Sequence, residues 1–260
     1  MNIEPISYID SEISAAVNSL ITEHSQVVKE IDAFKRFENI VSKTNVESNT
    51  VNSANTIDQQ ISMENKCKKI CAAYKKTVMS VSHYENEYND TYISSIEEEF
   101  GTDIAIALTQ TSCFTHITKT SLLSSINNNI NERENLLDAI LLEKESIVSF
   151  HKRIQNLCEN IESLSNQNLE SLDFGALDAY WTQTNTLFKK CDRMASERQE
   201  KIQHVQTKIF NNDSGLDIHE YFYQSLSTSY PVLAAIGKVG KKIKSIRDNI
   251  YTTIIHSNFS

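Results

Sequence analysis

From 126 to 164, apolar residues return every three or four positions, and neither Pro nor Gly interrupts them. A stretch patterned in this way folds as a long amphipathic helix whose apolar stripe has to be covered by a partner. Ile140, Ile147, Ile154 and Ile161 share one heptad position, and Leu136, Phe150, Leu157 and Leu164 share the position three residues later. That is a coiled-coil-like seam. The rest of the chain agrees, because 260 residues with only 5 Gly and 2 Pro leave few places to turn. Few turns mean few, long helices, and the expected class is all-α.

The pattern divides the chain further. Ile9, Ile13, Ala16, Leu20, Val27, Ile31, Phe34 and Val41 keep helical spacing and define an N-terminal helix, assigned to 1–43. Residues 44–60 carry many Asn and Ser and little apolar content, which reads as a polar linker. A helix over 62–80 follows, with Ile70, Tyr74 and Val78 on its apolar face. Gly101, after Phe100, is placed for a left-handed helix cap, and Asp103 for the cap of a short helix over 104–109. Thr115 can cap the long helix, 165–171 breaks it, and a second long helix runs from Asp173 to about Phe210. On that helix Leu177, Thr184, Cys191 and Val205 form one stripe, and Trp181, Phe188, Ala195, Ile202 and Ile209 run beside it. A turn is expected at 211–215, a short aromatic helix at 218–226, and a last helix opened by Pro231. The expected architecture is a long antiparallel hairpin, 115–164 against 173–210, with packed N-terminal, short aromatic and C-terminal amphipathic helices. The helical domain covers 61–256, followed by a tail at 257–260, and no repeat beyond the heptad indicates a solenoid.

Residues able to carry chemistry are scattered. Cys67 and Cys71 lie one helical turn apart, but two thiols are half of a zinc site and suit small core positions. His83 and Glu87, with Asp90 nearby, have i,i+4 spacing, yet acidic runs on helices usually form solvated faces. His151 and Cys158 are seven residues apart, about 10 Å along a helix axis, too far to act as base and nucleophile. Glu143, Lys144 and Arg198 interrupt the seams and read as groups that set register or extend their charge to solvent. Glycine-rich phosphate loops, His-Glu-x-x-His and Gly-x-Ser-x-Gly do not occur. No catalytic residue, cofactor site or metal site is assigned.

The formal charge of −9 disfavours nucleic acid as a partner. The first ten residues have neither the basic nor the apolar region of a leader, no membrane span is indicated, and the five cysteines are odd in number and dispersed. Reduced thiols and a cytoplasmic location are expected. Basic charge gathers only at Lys238, Lys241, Lys242, Lys244 and Arg247, on a helix whose other face offers Leu233, Ile236, Ile243, Ile246 and Ile250. Such a helix either packs on the hairpin or lies on an anionic membrane or acidic partner. A second candidate surface is the aromatic and acidic set His83, Tyr84, Glu87, Tyr88 and Tyr92, since aromatics with one polar end suit interfaces. The same tyrosines would equally cap the end of a bundle.

The run Ala73-Tyr74-Lys75-Lys76-Thr77-Val78-Met79-Ser80-Val81-Ser82-His83-Tyr84-Glu85 resembles a segment of an uncharacterised haloarchaeal helical family, a domain of unknown function. Asp32-Ala33-Phe34-Lys35-Arg36-Phe37, Glu98-Glu99-Phe100-Gly101, and Tyr230-Pro231-Val232-Leu233-Ala234-Ala235 with Arg247 extend the resemblance over most of the chain. The family brings no activity, so no site residue is carried over. The resemblance implies an archaeal, high-salt setting, although 25 Lys+Arg against 34 Asp+Glu is less acidic than salt adaptation usually produces. In molar salt the Debye length is about 3 Å, which weakens a basic clamp and favours hydrophobic helix pairing. The leading expectation is a non-enzymatic cytoplasmic coiled-coil interaction or structural protein, with a protein partner or self-association. A peripheral membrane or acidic-partner adaptor is the alternative, and an enzyme with an unrecognised site the third reading.

Overall fold

A computed structural model describes residues 6–46, 56–88, 90–110, 114–209 and 217–257. These are helical throughout, with turns between: α1 (Ile6–Lys43), α2 (Thr56–Thr77), α3 (Tyr84–Glu87), α4 (Tyr92–Phe100), α5 (Thr102–Thr109), α6 (His116–Ser165), a 3-10 turn at Leu169–Ser171, α7 (Phe174–Ile209), α8 (Ile218–Phe222) and α9 (Pro231–Ser257). The expected turn at 211–215, most of the polar linker, Cys113 and the end of the tail lie outside the described residues. The chain forms two compact units, Met1–Glu23 with Ala139–Ser260, and His24–Asp138. Their boundaries fall inside α1 and α6, at positions different from the divisions at 43 and 60 that the composition suggests.

The first unit contains the paired part of the hairpin, α6 from Ala139 onward and α7. Asp173 Oδ1 accepts the Ala176 N–H at 2.7 Å and starts α7 as its N-cap, while α6 starts in the second unit, where Thr115 Oγ1 accepts the Thr118 N–H at 3.2 Å. Ile140, Ile147, Ile154 and Ile161 are buried, as are Phe150, Leu157 and Leu164. On α7 the stripe Leu177, Thr184, Cys191 and Val205 is buried as its spacing predicts. Its neighbour is different: Leu187 and Met194 are buried, while Trp181, Phe188, Ala195, Ile202 and Ile209 are half-buried. An antiparallel partner covers a face of a helix rather than two adjacent rows, so the inner positions four residues before and three after Cys191 are the ones enclosed. Pro231 opens α9, which lies along α7 with Val232, Ala235, Ile236, Val239, Ile243, Ile246 and Ile250 inward. The first turns of α1 join this unit through Asp10, which takes His151 Nε2 at 2.6 Å, and Glu12, which takes Lys238 Nζ at 2.8 Å.

In the second unit, Phe34 and Phe37 of α1, Tyr74 of α2 and Phe100 of α4 form one aromatic core, with ring centres 5.4 Å apart for Phe37 and Tyr74 and 5.5 Å for Tyr74 and Phe100. Edge-to-face contacts of this kind fix helix placement as well as burying area. Lys119 Nζ caps the end of α1 by donating to the carbonyls of Ser42 and Thr44 at 2.7 and 2.8 Å. Helix α2 starts at Thr56, earlier than the apolar pattern of the sequence suggests, because Gln59 and Gln60 are competent helix formers. It stops at Thr77, whose hydroxyl donates to Ala73 O at 2.8 Å.

Gly101 has φ 87 and ψ 159, ends α4 and serves as N-cap of α5, so Asp103 sits within the first turn of α5 rather than at its cap. This is an extended conformation of positive φ that is open essentially to glycine alone, not the left-handed helical cap the sequence suggested. Among the described residues no helix is long and apolar enough to cross a membrane.

Two outcomes follow for urea unfolding. Ile147→Ala, at a fully buried position, costs about 2–5 kcal/mol, whereas Val148→Ala, 40% exposed, stays within about 0.5 kcal/mol. Gly101→Ala meets no atom within 4 Å, so its cost of about 1–3 kcal/mol is purely conformational.

Candidate functional site

The aromatic and acidic segment converges on Glu30, which α1 presents between the core residues Val27 and Ile31. Glu30 Oε1 accepts from the Tyr88 hydroxyl at 3.1 Å and contacts His83 Nε2 at 2.8 Å, while Oε2 accepts from Arg133 Nε at 2.8 Å. Arg133, on α6, also donates through Nη2 to Glu99 Oε1 at 2.7 Å and lies 4.3 Å over the Phe34 ring. Asn129 completes the group by donating to Glu99 Oε2 at 2.9 Å. Burial pushes the Glu99 carboxyl up, more than its share of Arg133 pulls it down. Burial likewise raises Tyr88, and then the negative charge of Glu30 adds to it.

This geometry corrects the surface reading for part of the set. His83 and Tyr84 are buried, because the turn after α2 folds them inward toward Glu30 and the core. Tyr88 remains 40% exposed and Tyr92 is half-buried beside Tyr74, with Lys75 Nζ 4.3 Å over its ring. Glu87 closes α3, and its side chain lies outside the described residues. Cys67 and Cys71 point their thiols at the carbonyls of Ala107 and Leu108 on α5, at 3.9 and 3.8 Å.

A second constellation lies in the other unit, on the seam itself. Glu143 occupies the heptad position of Phe150 and Leu157, and Arg198 that of Cys191 and Val205; they are 0% and 1% exposed. Arg198 Nη1 donates to Glu143 Oε2 at 3.0 Å and to Ser146 Oγ at 2.8 Å, and Nη2 donates to Glu143 Oε1. The Tyr223 hydroxyl donates to Glu143 Oε1 at 2.6 Å, and His219 Nε2 lies 3.5 Å from Oε2. Asp217 caps α8 through the His219 N–H at 2.8 Å and accepts the Tyr230 hydroxyl. Burial alone would raise the Glu143 carboxyl; His219 and Arg198 outweigh it and bring it from 4.5 down to about 2. Burial raises Asp217 too, but the Tyr230 and His219 bonds leave it lowered. The bond to Asp217, followed by burial, pushes Tyr230 up to about 12.

The seam position of Glu143 and Arg198 was readable from spacing, but His219, Tyr223, Asp217 and Tyr230 had no signal beyond a short aromatic run. His151 is held by Asp10, and Cys158 is buried and pushed up to about 11 by burial and then by Asp10, Glu162 and Glu159. Of the basic set, Lys238 binds Glu12, and Arg247 approaches Asn185 Oδ1 at 3.5 Å with its guanidinium 5.2 Å from the Phe188 ring centre. Lys241 and Lys244 are exposed, and Lys242 is half-buried. Among the described residues no three His, Cys, Asp or Glu side chains stand together as a metal would require.

A family model described as domain of unknown function (DUF7260) matches residues 11–247. No curated protein and no solved structure matches the chain.

Arg198→Met strands Glu143 in the core and costs about 3–5 kcal/mol, and Glu143→Leu combined with Arg198→Met recovers most of that loss; denaturant unfolding of the cycle measures both. Because the folded Glu143 carboxyl lies below its ordinary 4.5, its stabilisation is complete above that value and disappears as pH falls toward about 2. Unfolding midpoints therefore fall through that window, and Glu143→Gln removes this contribution to the slope.

Proposed function

We propose that this chain, which belongs to the family described as domain of unknown function (DUF7260), works as a non-enzymatic helical interaction or structural protein. One observation carries the reading: the two largest clusters of acid–base side chains, around Glu143 and around Glu30, turn their reactive atoms inward and onto one another. Glu143, Arg198 and His219 are at most 1% exposed, and the oxygens of Glu30 and Glu99 are engaged by Arg133, His83, Tyr88 and Asn129. A general acid or base has to reach the proton it moves, and these groups reach only each other.

The surface that remains suits contact. Tyr88 at 40% exposure, Ile93 at 51% and the half-buried Tyr92 narrow the candidate recognition surface to the α3 and α4 region. The buried thiols of Cys67, Cys158 and Cys191 form no disulfide among the described residues and fit a reducing cytoplasm. Because the seam is covered by the chain's own helices, self-association through a coiled coil is not needed to bury it. The adaptor alternative loses most of its membrane form, since the apolar face of α9 is already engaged by α7, but Lys241 and Lys244 stay available to an acidic partner. A haloarchaeal setting belongs to the proposal as well, and it selects the salt at which the tests are run.

Light scattering on a size-exclusion eluate is expected to give the 29.6 kDa monomer in both low and molar salt, with no flotation on anionic vesicles. A stable dimer would make the seam an assembly device instead. Tyr88→Phe with Ile93→Ser, which keeps the ring packed on Tyr84, is expected to weaken retention of a protein partner from lysate more than it lowers the melting temperature. Loss of melting temperature with retention unchanged would assign the tyrosines to bundle capping.

A further inference from the structure

Helices α6 and α7 leave a groove of about 280 Å³ on the hairpin, at the small end of volumes that hold a ligand. Its floor is apolar, formed by the buried Leu157 and Met194. Its rim carries three cations, Arg153 from α6 and Lys190 and Arg193 from α7, with the carboxamides of Asn156 and Asn160 along one side. The one carboxylate there, Glu197, is held by Arg153 at 2.7 Å. Lys190 and Arg193 are exposed and have no acidic partner among the described residues, on a chain whose acids outnumber its bases 34 to 25.

We propose that this groove binds a small organic anion, one that joins a phosphate or carboxylate head to an apolar body. The two halves of the site demand both ends of such a ligand. An arginine offers a planar fork that takes two oxygens of a carboxylate or phosphate, and a lysine adds a mobile point charge beside it. Arg193 and Lys190, three residues apart on α7, share one helix face and converge on the same anion. The Leu157 and Met194 floor gives nothing to a fully hydrated inorganic ion but gains from covering by an aliphatic or aromatic body; methionine adapts to the shape of either. The Arg153 and Glu197 pair closes one side of the groove with balanced charge, which leaves the excess positive charge on the α7 side where the head docks.

The site goes beyond a role in protein contacts and fails independently of it. The test uses the full chain titrated with 1-anilinonaphthalene-8-sulfonate, an aromatic body with an anionic head whose emission rises in apolar surroundings. Saturable one-site binding is expected, weakened about tenfold or more in Lys190→Gln with Arg193→Gln, since charge-assisted bonds are roughly twice as strong as neutral ones. Both residues are exposed, so that variant keeps its melting temperature. Octyl phosphate and octanoate are expected to displace the probe, the more effective of the two identifying the head group, while inorganic phosphate displaces it only weakly. Unchanged affinity in the double variant, or equally tight binding of uncharged N-phenyl-1-naphthylamine, would overturn the proposal. So would emission that rises without saturating.

Discussion

Two opposite charges fill one layer of a seam whose neighbouring layers are apolar, and the arrangement of the first unit depends on their meeting. Arg198 is the largest of the fully buried side chains, and Glu143 facing it has no access to water. Taking each ion out of water costs several kcal/mol, and only a close, fully hydrogen-bonded pair offsets that. A slide of α7 by one heptad would bring Cys191 or Val205 opposite Glu143 and leave a bare carboxylate in the core. The pair thus contributes less as attraction than as a penalty on every other register. Helix α8 is positioned by the same carboxylate, through Tyr223 and His219. Asp217 then links the start of α8 to Tyr230, the residue before α9.

The second unit uses the same chemistry with a different balance. Arg133 is shared between Glu30 and Glu99, so each carboxylate receives part of one cation, where Glu143 receives both nitrogens of its own. The consequence is opposite in sign: Glu99 is raised and Glu143 lowered. For Glu99 the native state takes up a proton more readily than the unfolded chain, so mild acid relieves its burial. For Glu143 protonation removes the reason its neighbours are there. What holds the second unit besides this cluster is aromatic: Phe34, Phe37, Tyr74 and Phe100 bring three helices to one point, and Phe34 serves again as the platform under Arg133.

The parts of this fold legible in the sequence are those whose cause is local. Thr115, Asp173 and Pro231 mark helix starts because caps and a first-turn proline act within one turn, and the Ile positions of α6 are buried because their spacing matches a single covered stripe. What the residues concealed has a distant cause. His83 and Tyr84 look like surface aromatics until Glu30, far away in sequence, is seen to receive the histidine. Spacing alone favours Trp181 and Phe188 over Leu187 and Met194, because which flank of a stripe is covered depends on the partner's approach. The unit boundaries inside α1 and α6 carry no compositional mark, since a helix continues through them. Glu143 and Arg198 are an intermediate case: each was visible as a polar interruption, and they stand at nearly equal distances along the chain from the turn that joins the two helices.

Sites that do chemistry usually keep strained or unpaired groups at an accessible surface, because reactivity needs a partner still to come. Here the buried polar atoms without a hydrogen bond include Arg198 Nε and both ring nitrogens of His219, yet the latter lie 3.4 and 3.5 Å from Asp217 and Glu143 in a ring that is 0% exposed. A carboxylate faces each ring nitrogen even where hydrogen-bond geometry is imperfect, and nothing from outside can reach them without opening the core. Charge unmatched among the described residues and uncovered aromatic area are found at the surface instead, at Lys190 and Arg193, at Lys241 and Lys244, and at Tyr88. On the proposed reading, free energy available to another molecule resides in these surface groups, and the interior networks hold them in place.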